Sequence, residues 1–208
     1  MNRKKVFYIT IPMQNPEFLK ELRYRKEDTG EIYSRPTRFP GIAMLEWNIF
    51  GNEEIKIVTI RSQDKNGYTD NVNYPKFKEE LASLGEYLGR ELVIDEEIVL
   101  PLSENKDKQT SFMREICHSF DPKTYIYMDL TYGTKVTPIG LFSSLVYAEK
   151  VDECNIKSVV YGNYAFDGTD TGNYFDVKHL YDMAQLINAC YLMPKENLRS
   201  MIDELWEE

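Results

Sequence analysis

Apolar runs with strand character alternate with segments of helical periodicity along most of this chain. Residues 6–11 (Val-Phe-Tyr-Ile-Thr-Ile) are β-branched and aromatic on both faces and stop at Pro12, which predicts a buried strand. Segments 54–60, 93–100, 124–130 and 156–161 read the same way, 93–100 closed by Pro101 and 156–161 by Gly162. Between them, 75–90 places Phe77, Leu81, Leu84 and Leu88 at intervals of four, three and four, an amphipathic helix. Helices are also predicted for 107–120, with Phe112, Met113, Ile116 and Phe120 on one side, and for the strongly apolar 138–151. Segment 41–50 is apolar enough for a core helix, although 47–50 reads equally well as extended chain. Two closing helices, 178–193 and 195–206, are divided by Pro194, which suits the first turn of the second. Residues 14–40 stand apart: they are polar and broken by Pro16, Pro36 and Pro40, with one short helix predicted over 17–25.

Strand and helix in alternation predict an α/β, Rossmann-like fold with a mostly parallel central sheet of five to six strands. Helices cover both faces, because the strands are near-continuously apolar rather than alternating. The two C-terminal helices are added to this core. No internal repeat, low-complexity stretch or linker divides the chain, so one domain is expected over 1–208, with a core of 1–177 and closing helices in 178–208.

Composition narrows the function classes. The net charge of −9 argues against the broad basic surface that duplex nucleic acid requires, but not against a small anion held in one pocket. Lys and Arg are dense between Arg3 and Arg38, and the end of the chain is acidic; solvated surface explains both. Tyr is abundant, with 15 against 2 Trp, and can stack on a base while donating a hydrogen bond. Cys117, Cys154 and Cys190 are far apart and form no CxxC pair, so neither a zinc site nor a disulfide framework is expected, and no metal or cofactor is predicted. No signal-peptide apolar core and no apolar run of about 18 residues is present, which predicts a cytoplasmic protein without a membrane span.

Ligands of open parallel sheets bind beyond the carboxyl ends of the strands. The residues to inspect are therefore Thr10, Pro12, Met13, Gln14 and Asn15 after the first strand, and Arg61 and Ser62 after the second. Asp129 to Lys135 follow the fourth, and Asn163 and Tyr164 the fifth. The fourth set is the most informative. A strand runs into Thr131, Tyr132, Gly133, Thr134 and Lys135, and a helix follows at once. Gly133 permits positive φ or close approach, and a helix start with two hydroxyls and a Lys makes an anion cradle. An ordinary turn with Thr134 or Thr137 as helix cap fits the same residues. The turn lacks P-loop spacing, and Ile11-Pro-Met-Gln-Asn15 lacks the glycines of a dinucleotide loop.

Asp129-Leu-Thr-Tyr-Gly133 resembles the Asp-x-Thr-His-Gly signature of CARF domains, the ring-oligonucleotide sensors of type III CRISPR systems, with Tyr132 at the His position. The apolar helix after it, Asn155-Ile-Lys-Ser-Val-Val-Tyr-Gly162 and Asp176-Val-Lys-His-Leu180 are similar to the segments that follow in that family. The specific resemblance covers about residues 122 to 192; the rest agrees in element order. It implies a homodimer that binds a cyclic oligoadenylate, a tetra- or hexa-adenylate ring, across its two-fold axis. By position, Thr131, Gly133, Thr134 and Lys135 would meet phosphates and riboses, and Thr10 to Asn15 would meet the ring from the other side. Asn163 and Tyr164 would reach an adenine. A His-dependent contact does not carry over to Tyr132.

Three readings stay open. In a metal-independent ring nuclease, each ribose 2′-hydroxyl attacks its own phosphate, Lys135 stabilises the phosphorane charge, and Thr10 or Thr131 positions the linkage. In a sensor, the ring is bound and not cut. The third is an unrelated Rossmann-like nucleotide-binding protein. A HEPN-type ribonuclease is excluded, because Arg114 and His118 stand too close together for that motif.

Overall fold

The computed structural model describes residues 3–62, 73–100, 105–164, 170–190 and 194–206. Its strands are β1 (Lys5–Ile11), β2 (Arg23–Lys26), β3 (Ile55–Ser62), β4 (Glu96–Leu100), β5 (Tyr125–Asp129), β6 (Asn155–Tyr164) and β7 (Thr171–Asp176). Its helices are α1 (Pro40–Asn48), α2 (Asn73–Leu88), α3 (Lys106–Ser119), α4 (Val136–Lys150), α5 (Lys178–Ala189) and α6 (Lys195–Trp206). They form an α/β Rossmann-like fold around one seven-stranded sheet, ordered β2-β7-β6-β5-β1-β3-β4. Pairing is parallel from β6 through β4; β7 runs antiparallel to β6, and β2 runs parallel to β7.

The order fixes where a ligand can enter. The chain builds outward from β1 through β3 to β4, then crosses back to place β5 and β6 on the other side of β1. The order therefore reverses between β1 and β5, and a crevice opens beyond the carboxyl ends there. Burial of β1 on both faces explains why its sequence is uninterruptedly apolar. Phe7, Ile9 and Ile11 pack with Leu45 of α1 and with Phe77 and Leu81 of α2. Val6 and Tyr8 face the other way, to Phe112 and Ile116 of α3 and Leu141 and Leu145 of α4. Each such side chain contributes about 1.5–3 kcal/mol on burial.

The departures from the sequence reading have local causes. The helix expected over 17–25 is a single 3-10 turn, Pro16–Phe18, followed by β2. Leu22 and Tyr24 are buried while Arg23 is exposed, a period of two that belongs to a strand. The strand expected from residue 93 starts only at Glu96, and Val93 is exposed. The strand expected to end at Gly162 continues to Tyr164, because Gly162 pairs with Tyr174 of β7. Gly162 is needed for contact rather than for a stop: a Cβ there would lie 2.2 Å from the Pro40 ring at the start of α1. The edge strand β2 is covered by its own return, with Tyr33 N–H donating to the Tyr24 carbonyl (2.7 Å) and mutual bonds between Leu22 and Thr37. Among the described residues, no helix is long and apolar enough to cross a membrane.

Candidate ligand-binding cleft

At the reversal point β1, β5 and β6 are tied together by one carboxylate. Asp129, the last residue of β5, is completely buried. Its Oδ2 accepts from the Thr10 N–H (3.2 Å) and Thr10 Oγ1 (2.9 Å), both from β1. Its Oδ1 accepts from the Thr131 N–H (2.9 Å) and the Thr131 hydroxyl. The Thr131 hydroxyl in turn accepts from Gly162 N–H of β6 (2.9 Å), and the Thr10 hydroxyl accepts from Tyr132 N–H (3.0 Å). Burial pushes the Asp129 carboxyl up to about 6, and the four bonds from Thr10 and Thr131 pull the other way. A buried charged acceptor with all its donors in place fixes geometry, and each donor would be costly to strand.

Above this hub lies a cleft of about 370 Å³. One wall comes from the 14–40 segment: Gln14, Phe18, Leu19, Lys20, Leu22 and Tyr24. The other comes from the turn after β5 (Thr131 and Tyr132) and from the end of β6 (Tyr161 to Tyr164). Tyr132 locks the two walls together. Its hydroxyl donates to the Arg38 carbonyl (2.7 Å), and its ring packs on the cluster that also holds Tyr24. Burial, with the neighbouring Tyr24 and Asp129 adding to it, pushes the Tyr132 hydroxyl well above the usual tyrosine range, so it stays a donor. Arg38 is anchored by Glu80 of α2, which also accepts from the Thr37 hydroxyl. Segment 14–40 is therefore a docked wall of the cleft.

Of the residues that the sequence singled out, Gln14, Thr131, Tyr132, Asn163 and Tyr164 meet in this cleft. Thr10 lies beneath it, 1% exposed, with its hydroxyl engaged by Asp129 and Tyr132. Pro12 is buried, and its carbonyl, like that of Gln14, accepts from the Asn73 side chain (2.9 Å each). Met13 and Asn15 are exposed outside the lining, where Asn15 caps the 3-10 turn through the Glu17 N–H (3.1 Å). Arg61 and Ser62 end β3, on the far side of β1 from the cleft. Arg61 donates to Glu97 (2.8 Å) and covers the Tyr74 ring (4.7 Å), and Ser62 is buried. These two do not line the cleft, because their strand lies on the other branch of the reversed sheet.

Gly133 is required by its backbone: φ is 120°, and a Cβ would lie 2.6 Å from the Thr137 side chain. Thr134 and Thr137 face each other with their hydroxyls 3.5 Å apart, and neither caps α4. Lys135 is itself the N-cap residue, exposed and outside the cleft lining. Phe18, Lys20 and Tyr24 line the cleft and were not foreseen. Their wall leaves no local signal, because β2 holds one buried side chain, Tyr24, among three basic residues. Lys20 donates to the Tyr164 hydroxyl at 3.4 Å, its ammonium 4.9 Å from the ring centroid at the hydroxyl end of the ring.

The arrangement suits a planar, polar ligand carrying negative charge. Tyr161 and Tyr164 line the cleft with aromatic rings, Gln14 and Asn163 with donors and acceptors, and Lys20 with a cation. Among the described residues, no group of three or more His, Cys, Asp or Glu side chains could hold a metal ion. No protein-family model matches the chain, and no curated protein matches it at a significant level.

Proposed function

We propose that the protein binds a cyclic oligoadenylate at the carboxyl end of its sheet, as a homodimer, and acts as a sensor of that messenger in type III CRISPR defence. The observation that carries this reading is the cleft beside the Asp129 to Gly133 turn, where tyrosines, side-chain amides and a lysine converge at the point of strand reversal. The resemblance of that turn to the CARF signature supplies the ligand class. The net charge of −9 suits a protein that meets phosphate in one pocket rather than along a duplex.

Sensing is favoured over cutting by the state of the two threonines. A ring nuclease of this kind asks Thr10 or Thr131 to position the scissile linkage. Both hydroxyls instead donate to Asp129 and accept a backbone N–H. Lys135 would meet ring phosphate from outside the cleft, across the dimer axis.

The test is to incubate the protein with cyclic tetra- and hexa-adenylate without metal, following binding by calorimetry and linear products by chromatography. The expected result is binding with the ring intact. Failure to bind either ring would overturn the proposal, and steady appearance of linear products would replace the sensor with a ring nuclease.

A further inference from the structure

The exposed sides of α2 and α3 carry charge: Lys78, Glu79 and Glu86 on the first, Lys108, Arg114 and Glu115 on the second. That is the usual composition of a solvated helix face. Helix α4 departs from it, with no charged side chain from residue 136 to residue 148. Its inner side packs into the core through Leu141, Leu145 and Ala148. Its outer side is uncharged as well. Ile139 is 65% exposed and Val146 38%, and Ser143 is exposed between them. Intervals of four and three put these residues on one ridge, about 10 Å long. A helix without a charged face is one buried on all sides, and an exposed apolar ridge marks a contact surface.

The occupant follows from charge and from position. The chain carries a net charge of −9, so a second copy approaches with least repulsion where neither copy presents charge. Ser143, small and central on the ridge, lets two helices come close. Helix α4 also begins at the ligand turn, with Lys135 as its N-cap residue, one turn before Ile139. The cleft of about 370 Å³ lies near the lower end of small-ligand sites and is too small to enclose a ring of four nucleotides.

We infer that α4 is the dimer interface: two copies pair α4 with α4, in parallel, about a two-fold axis that runs along the helices. This rests on the ring reading above and deepens it, by naming the surface that makes the shared site. Ile139, Ser143 and Val146 each meet their own counterpart, as an isologous contact requires. Because α4 follows β5, both helices start at the carboxyl ends of their sheets. The two Asp129 to Gly133 turns and the two Lys135 ammoniums therefore come to the same end of the axis. Each subunit gives one cleft and one Lys135 to a single ring, and one subunit alone holds half a site. An antiparallel pair would send the two turns to opposite ends.

The experiment measures mass by sedimentation, with and without cyclic tetra-adenylate, and ring affinity by calorimetry. It compares the wild type, Ile139→Lys and a control, Val93→Lys, which charges another exposed apolar residue. Both positions are at the surface, and circular dichroism checks each fold. Ile139→Lys is expected to weaken self-association at least about 100-fold, by facing two buried charges of one sign. Ring affinity falls with it by a similar factor, since the second half of the ring loses its tethered partner. Val93→Lys leaves both unchanged. Mild oxidation of Ile139→Cys, Ser143→Cys and Val146→Cys, made singly, is expected to cross-link each into a dimer, with the wild type as control. Cross-linking at Ser143→Cys alone would mean an antiparallel pair and would overturn the shared end. A wild type that stays monomeric with and without the ring, or an Ile139→Lys variant that dimerises and binds like the wild type, would overturn the interface and leave ring binding standing. A dimer that Ile139→Lys dissociates, but that binds neither cyclic tetra- nor hexa-adenylate, would uphold the interface and overturn the ring reading.

Discussion

The carboxyl ends of β3 and of β5 occupy equivalent places in a parallel sheet, yet their polar residues have opposite fates. At the end of β3, Arg61 is paired with Glu97 and laid on Tyr74, and Ser62 is buried. Among the described residues, the two that end β3 are therefore turned to partners within the fold. At the end of β5, Asp129 is buried more deeply still, but it serves as a platform: it draws Thr10, Thr131 and, through Thr131, Gly162 into one rigid unit. The polar groups above that unit then face open space. The difference follows from strand order. The sheet reverses beside β5 and not beside β3, so the crevice that a reversal opens lies beside β5. The residues that look most chemical in the sequence, Thr10 and Thr131, are the ones that build the platform.

The largest test of this contrast removes the platform. Asp129→Ala strands two backbone N–H groups and two hydroxyls in a buried site, and is expected to destabilise the fold by roughly 3–5 kcal/mol in urea denaturation. Arg61→Ala, at the other strand end, removes a largely buried side chain from Glu97 and Tyr74 and should cost about 1–2 kcal/mol, less than Asp129→Ala, and leave ligand affinity unchanged. Equal losses from the two variants would erase the distinction drawn between the two ends.

The second test uses pH. Folded Asp129 holds its proton up to about pH 6, against an ordinary value of 3.8, because burial penalises the charge. The folded state therefore binds the proton more tightly than the unfolded chain. This group's contribution is complete below about pH 4 and is lost as pH rises through 6, a fall of about 3 kcal/mol. Asp129→Asn lacks that titration. Plotted against pH, the stability of the wild type minus that of Asp129→Asn should drop across the window from about 4 to 6 and be flat above it. A rise over the same window would contradict the assignment.

A smaller effect sharpens the picture of the walls. Tyr132→Phe keeps the ring in the core but deletes the bond to the Arg38 carbonyl, at a cost of about 0.5–1.5 kcal/mol. Because that bond joins segment 14–40 to the turn after β5, amide exchange should quicken around Leu22, Tyr24 and Thr37 and stay unchanged in β3. Unaltered exchange in 14–40 would show that Tyr132 does not hold this wall.

The fold was legible where physical chemistry writes a period into the chain. β1, β3 and β5 are buried on both faces, so their apolar runs declare them, and α2 shows its stripe at Phe77, Leu81 and Leu84. β2 and β7 were not legible. β2 is four residues long, Arg23–Lys26, and three of them are basic, so its single buried side chain, Tyr24, gives no visible alternation. β7 follows residues 165–169, which lie outside the described chain, and carries Gly172 where a side chain would strike Tyr24. Half of the cleft was legible for the same reason. The residues after β5 and at the end of β6 are placed by the general rule for parallel sheets, and the rule found Thr131, Tyr132, Asn163 and Tyr164. Lys20 and Phe18 arrive from a segment whose path depends on tertiary bonds, Tyr132 to Arg38 and Glu80 to Thr37, that no local pattern encodes.

The central claim is that the ligand sits at the ends of β5 and β6 and not at that of β3. Hydrogen exchange of the protein with and without cyclic tetra-adenylate tests it most directly. The account predicts slowed exchange at residues 131–134, 161–164 and 18–24, with residues 55–62 unchanged. Slowing confined to the β3 and β4 ends, or no change anywhere at saturating ring, would contradict it.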